Sequence, residues 1–241
     1  MRLDKLLVER RLVESREKAQ ELIRAGEVLV GGKPVRKPSA RVAEDAEVVV
    51  QSQPRYVGRG GLKLECAIRR WNAAERVRTA VCADVGACTG GFTDCLLQNG
   101  AVRVYAIEAG HGQLHPRLRE DPRVVSLEGT DARTLTELPE PVHLVVVDVS
   151  FVSLREVLPG LFRWLRPDGE VWALLKPQFE APRLTKKGVL RSAQVRERLL
   201  REFIHWCQQQ GWEVKDAFEC PVAGEAGNRE FWVCLRASGR L

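Results

Sequence analysis

The stretch Asp84-Val85-Gly86-Ala87-Cys88-Thr89-Gly90-Gly91-Phe92 joins an apolar run to a glycine-rich turn and then to a helical pattern. The apolar run over residues 80–85 predicts a buried strand, and residues 92–99 predict a helix. Glycine in the turn between them lets the backbone approach a ligand closely. The spacing differs from the Gly-x-Gly-x-x-Gly pattern of nicotinamide-dependent dehydrogenases, which argues against that class. This stretch therefore predicts a strand, a ligand-binding turn and a helix in succession.

Short valine-rich runs alternate with helical patterns through the rest of the chain. Strands are predicted over residues 80–85, 102–107, 123–127, 143–147, 170–175, 213–219 and 230–235. Helices are predicted over residues 63–72, 92–99, 154–165 and 194–210. This alternation predicts an α/β domain with a mostly parallel sheet that is covered on both faces. Because ligands bind such sheets beyond the carboxyl ends of the strands, the residues that follow each strand are the functional candidates.

Acidic residues follow three of the predicted strands. Asp84 ends the first strand, and Glu108 ends the second, where a carboxylate can bind both hydroxyls of a ribose. Asp131 lies beyond the third strand, where its side chain can meet an adenine edge. These acids and the turn predict a site for a nucleoside cofactor, and ordinary turn chemistry is the alternative. The predicted cofactor-binding residues are Asp84, Gly86, Cys88, Thr89, Gly90, Gly91, Glu108 and Asp131.

Two further candidates follow the fourth and fifth predicted strands. Asp148 follows one apolar run, and Lys176 follows the apolar residues 172–175. A buried lysine is costly unless it is paired or neutral. The alternative is a surface lysine at a strand end, with its stem lying on apolar neighbours. Because strands four and five are neighbours in this kind of sheet, both side chains are expected to reach one cleft.

The first 60 residues are the more basic part of the chain, with a net charge of +4 out of +6 in total. The pattern predicts two short helices, the second between Ser15 and Gly26, a hairpin at Gly31-Gly32 and a strand over residues 48–50. Exposed cations there can bind nucleic acid phosphates, but interspersed glutamates leave a merely solvated face as the alternative. The predicted RNA-binding residues, including one in the following linker, are Arg2, Lys5, Arg10, Arg11, Arg16, Lys18, Arg24 and Arg59.

A polar segment and a run rich in glycine and arginine separate this basic part from the α/β part. We expect an RNA-binding domain at residues 1–53, a linker at residues 54–61 and the α/β domain at residues 62–241.

Composition excludes several classes of protein. The 241 residues are 44% hydrophobic and 29% charged, which is ordinary for a globular protein and excludes a wholly disordered or collagen-like chain. The seven cysteines are odd in number and form no Cys-x-x-Cys pair, and the four histidines are scattered, so no disulfide framework or metal site is expected. No apolar stretch reaches the roughly 18 residues of a membrane helix, and residues 1–5 do not begin a secretion signal. We expect a cytoplasmic protein without membrane contact.

The N-terminal pattern resembles the small RNA-binding module named after ribosomal small-subunit protein four. The resemblance rests on residues 2–7, 15–19 and 23–32, and it covers about the whole segment. It implies a small α+β domain that binds structured RNA through shape and backbone.

The remainder resembles S-adenosylmethionine-dependent methyltransferases. More closely, it is similar to the TlyA-type family, labelled haemolysins and also known as ribosomal RNA 2'-O-methyltransferases with an FtsJ-like catalytic domain. The segments that carry the resemblance are residues 58–64, 84–94, 148–154, 176–180 and 224–231. It implies a Rossmann-like, seven-stranded methyltransferase domain that follows the RNA-binding module in the chain. It also implies S-adenosylmethionine as cofactor and ribosomal RNA within a ribosomal subunit as partner.

The family's Lys-Asp-Lys-Glu tetrad maps to Lys63, Asp148, Lys176 and Glu230. Methyl transfer to a ribose requires that the hydroxyl lose its proton and be held on the methyl axis. A neutral Lys176 can take that proton. Lys63 would lower the pKa of Lys176 and the two acids would raise it, so the sequence leaves the protonation balance open.

Three further features refine the resemblance. Val149-Ser150 follows Asp148 where amino-group methyltransferases have Pro-Pro and an aromatic residue, which disfavours methylation of a base nitrogen. Cys88 replaces the family's usual serine, with little expected effect because the backbone does most of the binding there. The chain is also short at both ends compared with longer members, which favours the compact type that acts on large-subunit RNA alone.

We therefore expect a monomeric enzyme that methylates the 2'-hydroxyl of a cytidine in ribosomal RNA of the large subunit. A non-catalytic RNA-binding or ribosome assembly factor is the alternative, and the complete tetrad argues against it. A directly membrane-lysing toxin is disfavoured because the sequence has no long amphipathic basic helix. Phe179 either stacks on a flipped nucleotide or packs under its own loop, and Lys186 and Lys187 are placed to meet phosphates.

Overall fold

The computed structural model describes residues 1–51 and 55–238. The chain divides into two compact units, Met1–Arg55 and Tyr56–Leu241. The expected end of the first domain at residue 53 and the expected start of the linker at residue 54 lie outside the described residues. The far end of the expected linker, residues 60–61, belongs to the first helix of the second unit.

The first unit consists of two helices and a small antiparallel sheet. Its elements are α1 (Leu3–Glu9), α2 (Arg16–Ala25), β1 (Val28–Val30), β2 (Lys33–Pro34) and β3 (Val48–Val50). As the sequence predicts, the Ser15 hydroxyl caps α2 by accepting from the amide of Lys18 (3.2 Å), and Gly26 ends the helix with a φ of +84°. The central strand β1 pairs with both β2 and β3.

The helices and strands of the second unit alternate along the chain. In order they are α3 (Gly60–Arg70), α4 (Ala74–Val77), β4 (Val81–Val85), α5 (Gly91–Gln98), β5 (Arg103–Glu108), α6 (Pro116–Arg119), β6 (Val124–Glu128), β7 (Val142–Val147), α7 (Leu154–Leu161), β8 (Leu165–Leu175), α8 (Pro177–Glu180), α9 (Ala193–Gln209), β9 (Trp212–Glu219) and β10 (Phe231–Ala237).

Within residues 55–238, seven strands form one sheet in the order β6-β5-β4-β7-β8-β10-β9. The first five are parallel, and β10 runs antiparallel between β8 and β9. This confirms the predicted α/β architecture, including β7 and β8 side by side. The strand order reverses at β4, so the cleft for a ligand lies beyond the carboxyl ends of β4, β5 and β7.

Alternate residues of the buried strands face opposite layers of helices. Cys82 and Val146, for example, pack with the layer that contains α3 and α5. Ala83 and Val147 pack with the layer that contains α7 and α9. This period-two burial is what the nearly continuous apolar runs in the sequence require of a sheet that is covered on both faces.

Two neighbouring predicted elements differ from the structure: the helix predicted over residues 154–165 is shorter, and the strand predicted over residues 170–175 begins earlier, at Leu165. The helix predicted over residues 154–165 ends at Leu161, a 3₁₀ turn covers Phe162–Trp164, and Leu165 already begins β8. Phe162 and Trp164 pack against the same core as α7, so the apolar pattern continues after the α-helical backbone has ended. Periodicity records which side chains are buried, and it does not record where the hydrogen-bonding pattern changes.

Within residues 1–51 and 55–238, no three His, Cys, Asp or Glu side chains cluster as a metal site would require. Across the same residues, no helix combines the length and the apolar character that a membrane span needs.

A buried carboxylate organises the first unit. The side chain of Asp4 has no exposed surface, and it accepts hydrogen bonds from Arg2 (2.9 Å), Arg16 (3.0 Å) and Gln20 (3.0 Å). These bonds, that from Arg2 first, hold the pKa of Asp4 well below its ordinary value. A buried charge with several donors stabilises a fold, whereas one without them is costly.

We expect Asp4→Asn to lower the free energy of unfolding of the first unit by about 1–3 kcal/mol, because an amide cannot accept from three donors. The contribution of Asp4 is present at neutral pH and is lost as the pH falls through the ordinary carboxyl range, because the pKa is lower in the folded state. Hydrogen exchange of the α1 amides against urea measures the change. Glu21→Gln, which removes a surface pair with Lys18, is the control. Equal exchange in the two variants would contradict the assignment.

Candidate active site

The glycine turn after β4 is shaped by backbone contacts that leave no space for side chains. Gly86 has a φ of +82°, and a Cβ atom there would lie 2.7 Å from the main-chain oxygen of Asp148. Gly90 has a φ of +94°, and a Cβ there would overlap the Leu118 side chain. Cys88 also has a positive φ, of +49°, and its side chain is exposed. The turn therefore presents backbone at the cleft.

A second glycine segment packs against this turn. A Cβ on Gly58 would lie 2.6 Å from the Thr89 hydroxyl, and a Cβ on Gly91 would lie 2.9 Å from the amide nitrogen of Gly61. Gly58 thus lies against a side-chain hydroxyl of the turn, and at Gly91 backbone meets backbone. The contact brings the start of α3, and with it Lys63, to the same end of the sheet as the turn.

Asp84 lies beneath the turn and is fully buried. One carboxylate oxygen accepts from the amide (2.9 Å) and the hydroxyl (2.7 Å) of Thr93, which fixes the start of α5. The other oxygen has no hydrogen-bond partner within the described residues. Burial, together with the charge of Asp148, raises the pKa of Asp84 to about 7. A buried acceptor without a donor is costly, and a ligand at the turn is one source of that donor.

Glu108 and Asp131 lie at the neighbouring strand ends, as predicted. Glu108 accepts from the amides of Cys88 (3.0 Å) and Gly110 (2.8 Å) and so joins the glycine turn to the end of β5. Asp131 follows Thr130, whose amide binds the Glu108 carbonyl (3.0 Å). The carboxylate of Asp131 accepts from the Arg133 side chain (2.6 Å). The structure thus brings the acids to one edge, with the Asp131 carboxylate occupied by Arg133.

The four predicted tetrad residues form two close ion pairs. Lys63 Nζ lies 2.7 Å from Glu230 Oε2, and Lys176 Nζ lies 2.6 Å from Asp148 Oδ1. Lys176 also donates to the hydroxyl of Ser150 (2.9 Å). All four side chains are less than one-fifth exposed, so water screens their charges weakly.

The two pairs interact electrostatically. Burial lowers the pKa of Lys63, but the charges of Asp148 and Glu230 outweigh burial, and the net pKa is raised. Lys63 is therefore held in its charged form. Gln178 donates to Glu230 (3.3 Å) and supports the second carboxylate. The arrangement is a nearly enclosed cluster of two cations and two anions.

An exposed aromatic pair borders this cluster. Phe151 is 90% exposed, and its φ of +66° is unusual for a phenylalanine. Its ring lies 5.1 Å from the ring of Phe179, and Lys176 Nζ lies 5.7 Å from the Phe179 ring centre. Phe179 therefore packs against a loop residue, yet it belongs to a surface that is open to solvent through Phe151.

Sequence reasoning did not assign roles to Ser150, Phe151, Gln178 or Asn228. Asn228 accepts from the amide of Leu190 (3.1 Å) and donates to the carbonyl of Gly188 (2.9 Å). It thereby fixes the loop of Lys186 and Lys187 to the segment before Glu230. All four residues lie within segments that the resemblance had already marked, which was the available signal.

The structure places the predicted RNA-binding cations in two groups. The first group has partners within the protein. Arg2 and Arg16 bind Asp4, Lys18 pairs with Glu21, and Arg24 donates to Gln20. Arg10 and Arg59 donate to the carbonyls of Ala46 and Ala223. The side chains of Lys5 and Arg11 are exposed. These two make no hydrogen bond or ion pair with the part of the chain that the structure describes, so their charges are open to a partner.

We expect Gly86→Ala to weaken cofactor binding by at least about 10-fold, because the added methyl must displace the Asp148 backbone from the turn. Titration with S-adenosylmethionine, the cofactor that the resemblance implies, measures the effect. Gly211→Ala is the control, since Gly211 has a similar φ of +84° but no close backbone neighbour. Equal binding by both variants would show that the close approach at Gly86 does not shape the site.

Comparisons with known proteins assign both parts of the chain to families. Residues 56–237 match the model of the FtsJ-like methyltransferases, and residues 1–48 match the S4 domain. The chain is 42% identical over 247 residues to "Putative rRNA methyltransferase YqxC" of Bacillus subtilis, covering 99% of this chain and 86% of that protein. It is also 42% identical over 243 residues to "16S/23S rRNA (cytidine-2'-O)-methyltransferase TlyA" of Mycobacterium tuberculosis, covering 98% and 89%.

Among solved structures, "Putative hemolysin from Streptococcus thermophilus" superposes with a TM-score of 0.78 at 36% identity, covering 99% of this chain and 89% of that one. These similarities confirm the resemblance noted in the sequence for both parts of the chain.

Proposed function

Because this chain belongs to the FtsJ-like methyltransferase family, with an S4 domain at its N-terminus, we propose that it methylates ribosomal RNA. The methyl donor is S-adenosylmethionine, and the acceptor is the 2'-hydroxyl of a cytidine in the large subunit. The observation that carries this proposal is the enclosed cluster of Lys63–Glu230 and Lys176–Asp148 beside the glycine turn.

The residues at the turn suit a nucleoside cofactor. Gly86 exposes backbone where a side chain would block approach, Asp84 retains a buried acceptor, and Glu108 lies where a carboxylate can bind ribose hydroxyls. Asp131 lies at the same edge, and its carboxylate would have to exchange its bond with Arg133 to meet an adenine edge. When bound, S-adenosylmethionine supplies an electrophilic methyl group on a sulfonium.

The charged cluster removes the proton from the ribose hydroxyl that accepts the methyl group. The ribose hydroxyl gives its proton to Lys176 Nζ, which must be neutral when the hydroxyl arrives. Lys63 is held in its charged form by Asp148 and Glu230. Asp148 orients Lys176, and Glu230 orients Lys63. We therefore propose Lys176 as the proton acceptor and Lys63 as a fixed neighbouring cation.

The RNA partner is supported by features of both units. The S4 domain presents Lys5 and Arg11, and the second unit presents Lys186 and Lys187 on an exposed loop. Phosphates attract such cations and release bound counterions. The two curated relatives carry names of ribosomal RNA methyltransferases. We propose the large subunit as the substrate and a monomer as the acting form.

The first experiment measures methyl transfer from labelled S-adenosylmethionine to vacant large subunits, vacant small subunits and naked ribosomal RNA. We expect label in a cytidine ribose of the large subunit. Lys176→Ala should lower the rate by about 10²–10⁴-fold, because general base catalysis is lost. Lys215→Ala is the matched control, since Lys215 pairs with Glu213 on β9, away from the cluster.

The outcome distinguishes the parts of the proposal. Label on a base nitrogen would contradict ribose methylation, and transfer to small subunits would contradict the assignment to the large subunit. Cofactor binding without transfer to any of the three substrates would contradict the enzyme and favour an RNA-binding assembly factor.

We expect Phe151→Ala to slow methylation by about 5- to 150-fold, because stacking of a base on an aromatic ring contributes about 1–3 kcal/mol. Binding of S-adenosylmethionine should stay unchanged. Val102→Ala removes another exposed apolar side chain, at the opposite end of the sheet, and serves as the control. Single-turnover rates on RNA measure both variants, and an unchanged rate for Phe151→Ala would exclude stacking at this surface.

A further inference from the structure

Two chain segments carry the reactive half of the cluster. The loop of residues 148–153 follows β7 and bears Asp148, whereas residues 176–180 follow β8 and consist of Lys176 and the short helix α8. Near their starts the segments are joined by the Lys176–Asp148 ion pair (2.6 Å) and by the hydrogen bond from Lys176 to Ser150 (2.9 Å). These contacts involve groups that must also serve the substrate.

A second connection joins the far ends of the same two segments. Glu180 Oε2 accepts from the hydroxyl of Ser153 (2.6 Å), and Glu180 Oε1 accepts from the amide of Leu154 (2.8 Å). The Ser153 oxygen in turn accepts from the amide of Arg155 (3.1 Å) and caps α7. The Glu180 side chain is 6% exposed, so water competes weakly for these bonds.

The backbone between the two connections is strained. Phe151 lies midway along the first loop with a φ of +66°. A left-handed conformation is unfavourable for a residue with a side chain, and it persists only where the surroundings determine it. The loop is held at Asp148 by Lys176 and at Ser153 by Glu180, so release at either end allows the loop to relax.

We infer that Glu180 is a positioning residue for methyl transfer, acting through the loop of residues 148–153 to hold Asp148 and Phe151 in register with Lys176. This inference rests on the proposed function. The Glu180 amide bonds the Lys176 carbonyl (3.3 Å), but within the described residues the Glu180 side chain makes no hydrogen bond or ion pair with the four tetrad residues. Its contribution is to the geometry of the residues that do the chemistry. Small displacements of such residues slow a reaction greatly, because the reacting atoms lose their alignment.

Helix capping alone does not explain why the residue at position 180 is a glutamate. Ser153 already caps α7, and burial raises the pKa of the Glu180 carboxyl despite the bonds from Ser153 and Leu154. A buried carboxylate is a costly cap, but it is the side chain whose two oxygens can both accept, one from a hydroxyl and one from an amide. The two carboxylate oxygens of Glu180 therefore link the end of α8 to the end of the loop after β7.

The test uses Glu180→Gln, which keeps the shape but replaces one acceptor by a donor. We expect the single-turnover rate at saturating S-adenosylmethionine and RNA to fall about 10- to 100-fold. The dissociation constants for cofactor and RNA should change less than about twofold. The matched control is Glu170→Gln, a buried carboxylate on β8 that accepts from Arg76 and Trp172, roughly 20 Å along the strand from Lys176. It should lose stability and keep its rate.

A double-mutant cycle with Ser153→Ala provides a second measurement. If Glu180 acts through Ser153, the double variant should be little slower than the slower single variant. Hydrogen exchange over residues 148–155 should rise in Glu180→Gln and stay at the wild-type level in Glu170→Gln. This exchange measurement needs no activity, so it tests the loop even if the proposed reaction is wrong.

The results separate the two claims. No methyl transfer by the wild-type protein would overturn the proposed function. A wild-type rate in Glu180→Gln, an equal loss in Glu170→Gln, or unchanged exchange over residues 148–155 would overturn the positioning role. A rate loss confined to Glu180→Gln, with coupling to Ser153, would establish it.

Discussion

The close approach of backbone to backbone around the glycine turn is the constraint on which the candidate site depends. Gly86 passes against the main chain of Asp148, and Gly91 passes against the main chain at Gly58 and Gly61. Each contact joins the end of β4 to another segment that bears a tetrad residue. Because a single Cβ would push these segments apart, the cleft and the charged cluster share one structural origin. The glycines thus leave space for a ligand and also place Lys63 at the cleft.

The charged cluster shows how burial and pairing act against each other. Burial by itself disfavours a charged Lys63, yet two nearby carboxylates reverse the effect and raise its pKa. The cluster contains equal numbers of cations and anions, so removing one member leaves an uncompensated charge in a weakly screened place. In the proposed reaction Lys176 accepts the proton while Lys63 stays charged, so one small volume would contain both roles. A simple pair of residues would not offer both.

The first unit uses charge for a different purpose. Arg2 and Arg16 bind the buried Asp4, so part of the basic character that suggested a nucleic acid partner supports the fold instead. Lys5 and Arg11 remain exposed on the same unit. Net charge counts both groups equally, because it carries no information about which cations have found an internal partner. Fewer of the predicted RNA-binding cations are therefore without an internal partner than net charge suggests.

The sequence by itself determined the seven strands, their alternation with helices and the position of the glycine turn, because these features depend on local periodicity and on backbone freedom. It also marked the four charged residues, through their resemblance to a family pattern. Only the tertiary structure decided which lysine pairs with which carboxylate and that Arg133 binds Asp131. It also decided that Asp84 lies beneath the turn and that Glu180 joins the segments after β7 and β8. Those contacts link residues distant in sequence, such as Lys63 and Glu230. Their partners are set by strand order and loop path, which no local pattern of residues records.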